Sequence, residues 1–167
     1  MTAQARLQPL GDTLHIRPAQ PGDAALILSL IRELAEYEKL AHAVVADEAT
    51  LAEHLFGAQP RAEVLIAEAQ GKTAGFCLFF HNFSTFLGKP GLYIEDVYVR
   101  EAFRGQGIGR QFFAALARIA EQRGCGRMEW WVLDWNQPAI DFYQRLGATP
   151  MDEWTVYRLT EEKFATL

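Results

Sequence analysis

The run Arg104-Gly105-Gln106-Gly107-Ile108-Gly109 places three glycines at alternate positions between an apolar stretch and an amphipathic one. A turn of that kind at a helix start leaves backbone N–H groups unpaired. With no Cβ atoms in the way, a phosphate can approach them closely, and the helix dipole adds to the attraction. Arg100, Arg104 and Arg110 flank the turn and carry charge that could neutralise a phosphate. The same spelling also suits a tight turn into a closely packed helix. A P-loop needs Gly-Lys-Ser/Thr, but Arg110 and Gln111 follow Gly109. A dinucleotide fingerprint needs a third glycine at position 110 and an early place in its domain, and neither is found.

Carboxylates form the second group. Glu38 continues the inward stripe of Ile27, Ile31 and Leu34, and Glu95 and Asp96 interrupt the apolar run Leu92–Val99. An acid at an inward position asks for a cationic or donating partner. That partner is either a cationic ligand or, for Glu95 and Asp96, an internal salt bridge; Glu38 is alternatively a frayed helix end. Tyr143 has a phenol able to act as a general acid, or else is a core aromatic with a satisfied hydroxyl. The four histidines (15, 42, 54 and 81) lack metal-ligand spacing, and no metal is expected. Ser29 and Ser84 sit in no nucleophile elbow. Cys77 and Cys125 form no disulfide framework.

These residues require a chain that can hold them. At 167 residues it suits one domain with a sizeable core, expected over residues 13–167 after a loose leader at 1–12. Half of it is apolar, which excludes a wholly disordered chain. No apolar run reaches the ~20 residues that cross a bilayer, and the N-terminus has no apolar signal region. Twenty-one acids against sixteen bases give −5, which lacks the basic footprint of nucleic-acid binders. A cytoplasmic protein that binds neither membrane nor nucleic acid is expected.

The pattern predicts a strand at Leu14–Arg17 and a helix from an Asp23 N-cap to about Glu38. A second helix follows between Asp47 and Gly57. Val64–Ala67 and Gly75–Phe80 read as a hairpin around Gln70-Gly71-Lys72. A loop containing Asn82, Gly88, Pro90 and Gly91 then leads to the strand Leu92–Val99. The glycine turn opens a helix ending near Gly124. A strand at Met128–Leu133, a helix at Pro138–Leu146 and a closing strand at Trp154–Leu159 complete the order. Hairpins first and strand–helix alternation later make this an α/β fold: a mixed, mostly antiparallel central sheet with helices on both faces.

The turn at Arg104–Gly109 resembles the Arg/Gln-x-x-Gly-x-Gly/Ala signature of the GNAT superfamily of acyl-CoA-dependent N-acetyltransferases. The block from Trp135 to Ala148, with Asn136 ahead of Ala139-Ile140-Asp141-Phe142-Tyr143, is similar to that family's second signature. Ile16–Ala19, Ile31–Glu38 and Leu92–Val99 are closer still to its diamine (spermidine/spermine) acetyltransferase branch. The segment from Met151 to Leu159 departs from the animal polyamine enzymes.

The resemblance implies an acetyl-CoA-dependent N-acetyltransferase acting on a primary amine of a small cationic acceptor: a diamine, polyamine or lysine-like amine. It assigns acetyl-CoA to Val97, Tyr98 and Val99 through main chain at a bulge in the strand, and to Arg104, Gly105, Gln106, Gly107, Ile108, Gly109 and Arg110. Asn136, Ala139 and Tyr143 complete that set. It makes Tyr143 the general acid, gives Tyr37, Glu38 and Glu95 to the amine, and lets Glu95 relay the amine's proton through water. Enzymes of this kind are commonly homodimers, and a dimer is expected here. Protein lysine or N-terminal acetylation, and a CoA-binding module without chemistry, are the alternatives.

Overall fold

The computed structural model describes residues 14–166, so the expected leader at 1–12 lies outside it. Along the chain come β1 (Leu14–Pro18), α1 (Ala24–Tyr37), α2 (Glu48–Phe56), β2 (Glu63–Ala69), β3 (Lys72–Ser84) and β4 (Lys89–Val99). After these come α3 (Ile108–Gln122), β5 (Met128–Trp130) and α4 (Gln137–Arg145). Contacts divide the chain into two compact units between Trp131 and Val132.

The first unit holds a five-stranded sheet in the order β1-β2-β3-β4-β5. Pairing is antiparallel from β1 to β4 and parallel between β4 and β5. Strand alternation sorts the core into two layers. Val64, Ile66 and Phe76 pack with Ile27, Leu30 and Leu34 of α1 and Leu55 of α2. Leu65, Cys77 and Phe79, one step out of phase, are buried on the other face. There α3 buries Ile108, Phe112, Phe113 and Leu116. Arg123, just past α3, lies 5.9 Å over the Phe79 ring, and Phe113 meets Trp130 edge-on at 4.9 Å. Helices therefore cover both faces of a mixed, mostly antiparallel sheet.

Local chemistry sets most boundaries. The Asp47 carboxylate accepts from the Thr50 N–H at 2.8 Å and starts α2, as its residue type predicts. At α1 the outcome differs from the expected cap. Asp23 makes no side-chain cap there; its carboxylate accepts from Arg17 at 2.7 and 3.1 Å and from the Gln20 N–H at 2.8 Å. A charge-assisted double contact with arginine outcompetes a neutral amide donor. Between β2 and β3 the turn is Gln70-Gly71, both residues left-handed at φ 54° and 72°, which suits the right-handed twist of a two-residue hairpin.

β3 and β4 are longer than their apolar runs suggest. Asn82–Ser84 pairs with Lys89–Gly91, so much of the expected loop is ladder. β5 is shorter than expected and stops at Trp130 rather than Leu133.

In the second unit, α4 is capped by Asn136, whose side chain accepts from the Ala139 N–H at 3.4 Å, and Pro138 sits in the first turn. The closing strand expected at Trp154–Leu159 is not formed; those residues have no regular structure. Apolar alternation makes a strand only where a neighbouring edge completes its hydrogen bonds. Trp154 and Tyr157 remain 72% and 93% exposed.

Candidate active site

The glycine turn adopts the geometry a phosphate cradle needs. Gly105 and Gly107 are left-handed, at φ 75° and 80°, a conformation glycine adopts without steric cost. Gly107 is the N-cap of α3, and a Cβ at either glycine would project into open space. The Gln111 N–H bonds the Gly107 carbonyl, so the N–H groups of Ile108, Gly109 and Arg110 precede the intrahelical ladder. Arg110 is exposed beside them. Arg100 is not available to a phosphate, in contrast to the sequence reading. Its guanidinium holds Glu33 of α1 at 2.6 and 2.9 Å and the Thr73 carbonyl at 3.0 Å. Gln106 directs its amide to the Ala102 carbonyl at 3.4 Å.

β4 carries the bulge. Leu78 faces Asp96 and Phe79 faces Ile94, so Glu95 is the extra residue with no partner on β3. Beyond it the ladder resumes, and the Arg100 N–H donates to the Ala74 carbonyl. Antiparallel alternation then turns the peptides of Asp96 and Tyr98 toward β3 and those of Val97 and Val99 away from it. On that outer side β5 pairs only with Leu92–Ile94. Among the described residues no strand pairs with Val97–Val99 there, and their N–H groups line an open edge. Gly75 permits the close approach of β3 at this point, because a Cβ would strike the Tyr98 carbonyl. The Val99 carbonyl accepts from Arg104 Nε at 2.9 Å. Tyr98 differs from its neighbours: its peptide faces β3 and its ring packs against the α1–α2 core.

The carboxylates converge beside this edge. Asp96 is pushed up to about 7 by burial and by the charges of Glu95 and Glu38. Burial also raises Glu38. Those shifts place three acids from two elements in one electrostatic neighbourhood. Glu38 is not a frayed end, since its N–H donates to the Leu34 carbonyl at 2.9 Å. None of the ion pairs among the described residues includes Glu38, Glu95 or Asp96, so the internal salt-bridge reading is not realised. A group able to hold a metal ion is also not found among the described residues. Cys77, opposite Val97, is fully buried, and burial pushes its thiol well above the ordinary range, so it is no nucleophile.

Tyr37, the last residue of α1, lies under Arg104, whose Cζ is 4.8 Å from its ring centroid. The first unit thus brings together Tyr37, Glu38, Glu95, Asp96, the Val97–Val99 edge and the glycine turn. In the second unit, Asn136, Ala139 and Tyr143 follow each other at spacings of three and four and share one face of α4. The Tyr143 ring is half-buried, 5.6 Å from Phe142. Sequence reasoning missed the stack of Arg104 on Tyr37, for which no local signal exists. It also missed Lys39, a non-glycine residue at φ 62° directly after Glu38.

A glycine turn at the start of α3, an opened β4 and an Asn-capped α4 are a specific set, and residues 28–148 match the family model for the acetyltransferase (GNAT) family. The chain belongs to that family. It is 40% identical over 163 residues to the thialysine N-epsilon-acetyltransferase of Bos taurus, covering 91% of this chain and 95% of the bovine one. It is 35% identical to the L-ornithine N5-acetyltransferase of Arabidopsis thaliana, over 87% of this chain and 84% of the plant protein. Its fold is similar to that of an integron cassette protein from V. cholerae, with TM-score 0.77, 26% identity, and 93% and 98% of the two chains covered. This GNAT protein is accordingly an N-acetyltransferase, and its family uses acetyl-CoA as co-substrate.

Proposed function

We propose that this acetyltransferase moves an acetyl group from acetyl-CoA to a primary amine of a small acceptor bearing a second positive charge. A diamine, a polyamine or a lysine-like amino acid has that chemistry. The observation that carries the reading is the trio Glu38, Glu95 and Asp96, which enters no ion pair among the described residues and holds Asp96 up to about 7. Proteins discharge such a cluster by binding a cation. The relatives support it through their names, one a thialysine and the other an ornithine acetyltransferase.

In this reading the Val97 and Val99 N–H groups orient the thioester carbonyl and stabilise the charge that develops on its oxygen. Glu95, exposed at the bulge, takes the amine's proton through water, and Tyr143 protonates the departing thiolate. Gly105, Gly107, Gly109 and the N–H groups of Ile108 and Arg110 receive the phosphates, with Arg110 supplying charge. Gln106, Asn136 and Ala139 flank the rest of the cofactor. Tyr37 and Glu38 wall the acceptor. The two units act as one catalytic domain, as a family match running through both supports. The exposed apolar side chains of Trp154, Val156 and Phe164 suit a homodimer, and a cytoplasmic setting suits the two unpaired cysteines. No helix among the described residues is long and apolar enough to cross a membrane.

An amine panel read by CoA release tests the acceptor class. It contains putrescine, spermidine, lysine, thialysine, ornithine and a monoamine with a neutral tail. Glu38→Gln and Glu95→Gln should raise KM for the dications and leave the monoamine's KM unchanged. Salt should weaken the preference, because screening shortens the reach of the carboxylates. A best acceptor without a second positive charge refutes this reading of the acids.

A further inference from the structure

Arg104 opens the glycine turn, yet its side chain points back toward α1. Nε donates to the Val99 carbonyl at 2.9 Å, and the guanidinium carbon lies 4.8 Å from the Tyr37 ring and 5.9 Å from the Tyr98 ring. Three elements meet in this one side chain: the outer edge of β4, the C-terminus of α1 and the turn that starts α3. Such a planar cation stacks over an aromatic face while its in-plane N–H groups donate, a combination lysine cannot reproduce. Glu38 follows Tyr37 directly, and Tyr37 is half-buried, so the orientation of this ring sets the wall beside the carboxylates.

We propose that Arg104 is an acceptor-positioning residue: it fixes Tyr37 by stacking on its ring and thereby tunes binding of the amine. Phosphate charge is met by Arg110 and the helix N–H groups instead. The inference rests on the reading of Tyr37 and Glu38 as the acceptor wall. It has a consequence for selectivity. With one face of Tyr37 already covered by a protein cation, that face does not bind the substrate's ammonium, and cation selection falls to the carboxylates.

The test is a double-mutant cycle between Arg104→Gln and Tyr37→Leu, with Tyr37→Phe as the variant that keeps the ring. Acetyl-CoA affinity is measured by calorimetry, and KM and kcat are measured with putrescine and thialysine. Arg104→Gln should raise the acceptor KM about three- to five-fold, the size of an exposed cation–π contact, and leave acetyl-CoA affinity within about two-fold. The Arg104→Gln effect should persist in the Tyr37→Phe background and vanish in the Tyr37→Leu background. An acetyl-CoA affinity that falls about ten-fold with an unchanged acceptor KM overturns the proposal and makes Arg104 a phosphate ligand. An undiminished Arg104→Gln effect in Tyr37→Leu also overturns it. Failure of the underlying reading looks different: the wild-type protein then neither binds putrescine or thialysine in a direct titration nor acetylates them, and the inference falls with it.

Discussion

Asp96→Asn should change how stability depends on pH. Burial and two neighbouring carboxylates move Asp96 from 3.8 to about 7 in the folded chain. Between those values the folded protein keeps a proton that the unfolded chain has released. The group's favourable contribution is therefore fully present below the lower value, is lost as pH rises, and has gone above about 7. At roughly 1.4 kcal/mol per pH unit the gap has a ceiling of about 4 kcal/mol, and relaxation of a half-buried cluster brings the expected loss to about 2–3 kcal/mol. Asparagine keeps the shape and removes the titration. Urea denaturation of both proteins at intervals from about pH 5 to pH 8 isolates the group together with its coupling to Glu38 and Glu95, since the titrations away from this cluster are shared. The wild type should lose about 1–2 kcal/mol of this relative to Asp96→Asn over that range, and saturating putrescine should recover part of the loss at the alkaline end. Parallel stability profiles would mean that Asp96 ionises without penalty, and the case for a cation-seeking cluster would lose its main support.

Tyr143→Phe should lower kcat about a hundred-fold while acetyl-CoA affinity stays within a few-fold, because the hydroxyl acts only as the thiolate departs; wild-type turnover would show that the proton comes from elsewhere. Gly107→Ala should destabilise the protein by about 1 kcal/mol and weaken acetyl-CoA binding in calorimetry, since its φ of 80° strains any Cβ although the surrounding space is open. An unchanged Kd would remove the turn from the cofactor site. Lys39→Gly should raise stability by about 0.5 kcal/mol in thermal denaturation, the left-handed strain relieved at φ 62° outweighing glycine's larger unfolded-state entropy. A lower Tm would show that the lysine side chain contributes more than its backbone costs.

What was legible in the sequence follows from how far each interaction reaches along the chain. Asp47 caps α2 through a residue three positions away, and Gly107 turns into α3 through its own φ, so residue type alone announces both. The apolar periods of α1, α3 and the central strands are local too, and their two faces emerged in the expected phase. Strand ends were less legible, because Asn82–Ser84 is polar enough to read as loop and is held as strand only by Lys89–Gly91 opposite. Trp154–Leu159 failed in the reverse direction: its apolar alternation is local, but the edge a strand requires is not supplied by the run itself.

Side chains with long reach were the least legible of all. Asp23 left its cap for Arg17, and Arg100 spans 67 positions to reach Glu33. Each of the four arginines 17, 100, 104 and 110 looks alike in sequence, yet one braces the entry to α1, one ties β4 to α1, one lies on Tyr37 and one stands exposed at the start of α3. An arginine's long stem lets its partner lie far along the chain, so position in a motif does not determine its role. The same logic makes the carboxylates informative. With these arginines committed elsewhere or exposed at the turn, no ion pair among the described residues reaches Glu38, Glu95 or Asp96; Asp96 is held toward its protonated form, and a cation brought in by the substrate has a place to go.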